Sequence, residues 1–194
     1  GISSSLDTLL ADDEVDIIIT LGILASHEAG KRKEYNKPVI APFIMDPTAQ
    51  ETPVKNGASG IKNFNYVSQF LDTRGIMKSF ASIFPTRNLG VIMQRTSYDT
   101  VPNIQAKAEQ IEKANNIKVT FIFADTKAED VLSKISDNID SVYVSNLYRF
   151  SEEEVIKLAD GLIARKIPSI TAESRNEVAK GFSATFTPET SNQR

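Results

Sequence analysis

The chain predicts an α/β fold of two similar lobes on parallel sheets, and three observations carry that expectation. One pattern is written twice: Asp16-Ile17-Ile18-Ile19-Thr20, a loop, a helical stretch and Lys37-Pro38-Val39-Ile40 recur as Asp140-Ser141-Val142-Tyr143-Val144-Ser145, a loop, a longer helical stretch and Lys166-Ile167-Pro168-Ser169-Ile170. Each copy reads as buried strand, polar loop, helix and a second buried strand entered through a proline. Strands and helices alternate through the second half, the pattern of βαβ crossovers in a parallel sheet. With 194 residues, 41% of them hydrophobic, the chain can bury a real core as one domain or two small ones. Two such units imply a cleft between them, which suits holding a small molecule better than covalent chemistry.

In chain order, Ser5 is expected to cap a short helix carrying Leu6, Leu9 and Leu10 on one face, closed by Asp12-Asp13-Glu14. Ile17 to Thr20 is a continuous apolar strand, as in a parallel sheet covered on both faces. Ser26 to Glu34 reads as a helix and Val39 to Ile44 as the next strand. Asp46 to Gly60 holds Pro47, Pro53, Asn56-Gly57 and Ser59-Gly60, so it reads as a long loop. Val67, Phe70, Leu71, Ile76, Phe80 and Ile83 recur at helical spacing up to Pro85. Strands at Leu89–Met93, Val119–Phe123, Val142–Ser145 and Ile167–Thr171 alternate with helices marked by Ile104, Ala108 and Ile111, by Val131, Leu132 and Ile135, and by Val155, Leu158, Ala159 and Leu162. Ser151 with Glu154 forms a capping box for the last of these. Phe84-Pro85-Thr86-Arg87 is the best lobe boundary, giving lobe one at 1–87, without its first strand, and lobe two at 88–183. The chain opens at a helix cap where an α/β domain ordinarily has a strand, so the expectation is a truncated lobe, with Gly1 of the kind tag removal leaves.

Composition narrows the function classes. A net charge of −3 and no Lys/Arg-rich run offer little to a phosphate backbone, so no nucleic-acid partner is expected. Without cysteine there are no disulfides, thiolate metal sites or thiol nucleophiles. The longest apolar stretch, Val15 to Ala25, is broken by Asp16, Thr20 and Gly22 and is too short to span a bilayer. His27 is the only histidine, expected on a helix surface. It has no partner histidine for a metal and no G-x-S-x-G elbow for a Ser-His-acid site. Neither G-x-G-x-x-G nor a Walker loop occurs, and Glu152-Glu153-Glu154 reads as the acidic first turn of a helix. No catalytic residue, metal or cofactor is expected.

In an open parallel sheet, ligands meet the loops at the carboxyl ends of the strands. Four loops qualify: Thr20–Ser26, Met45–Thr48, Gln94–Tyr98 and Asn146–Arg149. In the first, Gly22 lets the backbone approach a ligand, and the amides of Ile23, Leu24, Ala25 and Ser26 open a helix whose N-terminus favours an anionic group. A plain strand-to-helix turn is the alternative. Asp46 either accepts a hydrogen bond from a ligand amine or caps the turn after it. Arg95 and Arg149 either pair with a ligand carboxylate or solvate the surface. Tyr98 and Tyr148 either stack on an apolar ligand body or pack at a rim. Asn146 stands at the same kind of strand end.

Several of these segments resemble the periplasmic substrate-binding proteins of ABC transporters. The residues that carry the likeness are Val15–Gly22, Lys37–Ile40, Asp46-Pro47, Gly57–Ile61, Leu89–Met93, Asp140–Val144, Lys166–Pro168 and Val178–Gly181. The nearest group is the one that includes tryptophan-binding members. The resemblance implies a type I periplasmic-binding fold of two Rossmann-like lobes with the first truncated, and return of 184–194 toward lobe one. It also implies an extracytoplasmic, periplasmic location, a small amino-acid-like ligand and an ABC permease as partner. Ligand contacts would fall on Gly22 to Ser26, on Asp46, and across the cleft on Arg95 or Asn146. The ending Thr187-Pro188-Glu189-Thr190-Ser191 is similar to a variant in which such a region precedes a TolC-like outer-membrane efflux protein, which implies an accessory or sensing domain instead. A lobe without its first strand is also expected to pair with a neighbouring chain, giving a homo-oligomer.

Overall fold

Two parallel sheets organise the chain, as the alternation of strands and helices requires. The computed structural model describes residues 1–44, 46–68, 73–171 and 175–185. The chain divides into two compact units, Gly1–Leu71 with Thr96–Lys107, and Asp72–Arg95 with Ala108–Arg194.

The first unit runs α1 (Ile2–Ala11), β1 (Ile18–Ile19), α2 (Gly22–Gly30), β2 (Glu34–Ile44) and β3 (Lys62–Ser68), with its three strands parallel in the order β1-β2-β3. Ile18, Val39 and Phe64 lie side by side in register, all buried, and with Leu6, Ala29, Tyr35, Ala41 and Ile44 they form the core on one face of the sheet. The Tyr35 hydroxyl, buried there, donates to the Ala29 carbonyl at 2.6 Å. Gly1 is the N-cap of α1, and Ser5 lies inside the helix with its hydroxyl donating back to the Gly1 carbonyl. Val67 belongs to β3, so the apolar run expected as one helix from Val67 is two elements. Phe70 and Leu71 lie outside the described residues. Glu34, expected as a helix end, begins β2.

The second unit contains α3 (Thr73–Ile83), β4 (Asn88–Gln94), β5 (Lys118–Ala124), α6 (Ala128–Lys134), β6 (Ser141–Val144), α7 (Glu152–Ala164), β7 (Ser169–Thr171), α8 (Arg175–Ala179) and β8 (Ala184–Thr185). Between β4 and β5 run α4 (Arg95–Thr100) and α5 (Ile104–Asn115). All five strands are parallel, in the order β5-β4-β6-β7-β8. One face, with Ile92, Ile122, Val142 and Val144, packs under Val131 of α6 and Leu158 and Leu162 of α7. The other, with Leu89, Val91, Tyr143 and Ile170, packs under Met77 and Phe80 of α3 and under Ile111 and Ile117. Both faces are therefore covered, which is why these strands read as nearly continuous apolar runs. Gly90 sits mid-β4, where an added Cβ would lie 2.9 Å from Ile122, 3.1 Å from Val142 and 3.2 Å from Ile139.

Packing moves the boundary expected at residue 87. Helix α3 belongs with the second unit because Met77 and Phe80 share a core with Leu89 and Ile170. Residues 96–107 belong with the first: the Asn103 amide donates to the Ala49 carbonyl at 3.2 Å, and Lys107 pairs with Asp46 at 2.7 Å. Of the segment 184–194 expected to return to lobe one, Ala184 and Thr185 pair with Ile170 and Thr171 in the second sheet. Residues 186–194 lie outside the described residues. Only half of the capping box forms. Ser151 Oγ accepts from the Glu154 amide at 3.3 Å, while the buried Glu154 carboxylate caps α6 instead, taking the Ala128 amide at 2.9 Å and Lys127 Nζ at 3.1 Å.

Candidate functional site

The carboxyl ends of β6 and β7 frame a cavity of about 190 Å³ in the second unit. Parallel strands deliver these loops to one end of the sheet, and helices return on the faces. Ser145, Asn146 and Leu147 follow β6, Thr171 ends β7, Val155 comes from α7 and Glu177 from α8, with Phe182 beyond it. The loop is held at both ends. The Ser145 amide donates to the Ile92 carbonyl at 2.9 Å, and the Phe150 amide to the Leu147 carbonyl at 2.8 Å. Leu147 and Phe182 are buried and give the cavity an apolar wall, while Asn146 is exposed at its mouth.

The polar groups divide by charge. Asn146 offers both a donor and an acceptor, Ser145 and Thr171 offer hydroxyls, and Glu177 offers an anion. Glu177 is paired with Lys180 at 2.8 Å, and this hydrogen bond is the largest of the effects that raise the Lys180 ammonium above its ordinary range. Drug-sized sites enclose roughly 300–1,000 Å³, so this cavity fits a molecule of metabolite size or one end of something larger. Among the described residues no group of three or more His, Cys, Asp or Glu side chains could hold a metal ion.

The residues singled out in the sequence fall on both units. Gly22 opens α2 with φ at 84°, a left-handed conformation that favours glycine. Leu21, the N-cap, gives α2 no side-chain cap, so the helix start at Gly22, Ile23 and Leu24 is made by backbone alone. Ala25 and Ser26 lie further into the helix, and the buried Ser26 hydroxyl donates to the Thr20 carbonyl at 3.2 Å, tying helix to strand. Asp46 does cap its turn, accepting the Ala49 amide at 3.0 Å, and it also pairs with Lys107. Burial works to raise the Asp46 carboxyl, but the bonds from Lys107 and Ala49 outweigh it and hold the group below the usual carboxylate range. His27 is buried rather than on a surface, and its Nδ1–H donates to the Gln50 carbonyl at 3.0 Å, fixing the loop that carries Asp46.

In the second unit, Arg95 is the first residue of α4 rather than part of a loop, and its guanidinium lies 4.7 Å from the centre of the Phe123 ring. Arg149 pairs with Asp125, a surface ion pair. Tyr148 is exposed. Of the predicted set only Asn146 lines the cavity. Thr171, Glu177 and Phe182 lie outside the four predicted loops, although the carboxyl-end rule that selects those loops also points to the end of β7.

The fold matches solved structures well beyond what sequence reveals. No protein-family profile matches the chain, and no curated protein does. An ABC domain in complex with L-Trp from Streptococcus pneumonia superposes at a TM-score of 0.67 with 15% identity, over 89% of this chain and 59% of that one. A conserved domain protein from Vibrio cholerae gives 0.67 with 17% identity, over 96% and 63%. A substrate-binding protein with adhesive properties from Clostridium difficile, in a ligand-free open form, gives 0.54 with 22% identity, over 93% and 60%. The chain therefore shares the α/β, parallel-sheet fold of these three structures, and it spans about six-tenths of their length.

Proposed function

We propose that the chain is the binding part of an extracytoplasmic solute-binding protein, which holds a small, amino-acid-like ligand and performs no chemistry on it. The cavity at the ends of β6 and β7 carries this reading: an apolar wall of Leu147, Val155 and Phe182 beside Ser145, Asn146, Thr171 and Glu177 is the composition of a site that recognises one polar end and one apolar body. In this reading Asn146 and the hydroxyls orient the ligand, and Glu177 receives an ammonium in exchange for Lys180. An ABC-type permease is the partner that takes the solute onward. The ligands and roles named for the matched structures support the reading by analogy of fold.

A thermal-shift screen against the amino acids and short peptides tests it, because a ligand that binds only the folded chain raises the midpoint by mass action. A hit whose effect is lost in Glu177→Gln and Asn146→Ala supports the proposal; a screen in which nothing shifts the midpoint refutes it.

A further inference from the structure

The two copies of the repeated unit are unequally covered. Their registers agree: Ile18 lies beside Val39 and Ile19 beside Ile40 in one, Val142 beside Ser169 and Tyr143 beside Ile170 in the other. Asp16 thus matches Asp140, Ile19 matches Tyr143 and Ile40 matches Ile170. In the second unit β6 has a neighbour on each side, β4 and β7. The Asp140 carboxylate joins β6 to the amino end of β4, accepting the Arg87 amide at 2.9 Å and the Asn88 amide at 3.0 Å. The face bearing Tyr143 and Ile170 lies under α3 and α5.

The first unit lacks all of this among the described residues. There β1 pairs with β2 alone and is only two residues long. Asp16 is exposed. Ile17, Ile19, Ile40 and Val67 share one face and remain 55%, 61%, 39% and 60% exposed. The Thr20 amide donates to the Ile40 carbonyl at 2.9 Å, and a strand's successive residues direct their backbone groups to opposite sides. Ile19 therefore turns its own N–H and C=O toward the unpaired edge. An open edge flanked by exposed isoleucines invites another strand.

We propose that this edge and face seat a strand-and-helix element from outside residues 1–194. The strand is apolar and parallel to β1, with its first two amides on the Asp16 carboxylate. The helix lays an apolar stripe over Ile17, Ile19, Ile40 and Val67, as α3 and α5 cover Tyr143 and Ile170. A second copy of this chain joined edge to edge at β1 would fill the edge but leave that face bare, so it is the weaker occupant.

The test begins with the unmodified chain. Ile19→Lys should leave the thermal midpoint within about 2 °C, because the side chain has no layer above it, and should cut the fluorescence of bound anilinonaphthalene sulfonate several-fold. A fall of more than about 5 °C would mean the face is already covered and would overturn the proposal. A dimer in light scattering that Ile19→Lys dissolves would also overturn it, in favour of a second copy. The occupant is then supplied by placing a copy of Arg87–Lys127, which carries β4, α4, α5 and β5, ahead of Gly1, so that it leads into α1 as the native segment leads into α6. The amides of Ile17 and Ile19 should then exchange at least about tenfold more slowly, and a proline in the middle of the added strand should abolish the protection. Unchanged exchange in the folded chimera would refute the assignment.

Discussion

Replacing Ile170 by alanine, and Ile40 by alanine in a second variant, makes one substitution at matching positions of the two repeated units. Ile170 is 4% exposed between Tyr143 and Ala184 under Met77 and Phe80, whereas Ile40 is 39% exposed on the uncovered face. The change removes three carbons, worth about 2.4 kcal/mol if all were buried. At Ile170 the cavity left beneath α3 adds to that, so the loss should be about 3–4 kcal/mol. At Ile40 only part of the transfer term applies and no closed cavity forms, so about 1.5 kcal/mol is an upper value. The loss of strand propensity is common to both and cancels in the comparison. Because the chain has no tryptophan, urea unfolding is best followed by far-UV circular dichroism, with hydrogen exchange assigning each change to its unit. The Ile170 variant should shift its unit's midpoint by about 2 M at a slope near 1.5–2 kcal/mol per M, and the Ile40 variant by less than half of that. Equal losses in the two variants would refute the asymmetry of the two sheets.

Other outcomes follow from the same geometry. Leu158→Ala, in the fully buried stripe of α7, should cost about 2–5 kcal/mol in the same titration. Gly90→Ala should destabilise by about 1–3 kcal/mol, since its Cβ would meet three buried branched side chains; a neutral result would show that Ile122 and Ile139 yield. Asp140→Ala should cost about 1–2 kcal/mol through the two amides it frees, while Asp16→Ala should stay within about 0.5 kcal/mol. Acid should weaken the second unit through Glu154. The Ala128 amide, and then Lys127, hold this carboxyl below its ordinary 4.5, so its stabilisation is complete above that value and disappears as pH falls through the lowered one. The urea midpoint should therefore drop from about pH 5 to pH 3, and the slope should flatten in Glu154→Gln.

What was legible in the sequence was the part that repeats. The two strand–helix–strand copies carry their register in Asp16 and Asp140 and in Pro38 and Pro168; β1, β6 and β7 fall where the apolar runs place them, and β2 contains its run Val39–Ile44 but begins at Glu34. Local periodicity failed where tertiary pairing decides. The segment Lys62–Ser68 is a strand because it lies beside β2, although Val67 continues a helical spacing into α3. The unit boundary failed for the same reason. Met77 and Phe80 carry no mark of which core they join, and Asp46 gives no hint in sequence of a lysine at position 107. Glu154 was recognised as a helix-start residue, yet its carboxylate serves α6, a contact across 26 residues. At the site, the carboxyl-end rule points to Asn146 and to Thr171, whereas Glu177 reaches the cavity from α8, a placement with no local mark in the sequence.

Residue-resolved titration of isotopically labelled protein with a pool of amino acids tests the binding reading most directly. Saturable amide shifts should concentrate at Val144–Leu147, Thr171, Glu177 and Phe182, and they should be lost in Glu177→Gln. Spectra that do not change, or shifts scattered over the surface without saturation, would contradict it.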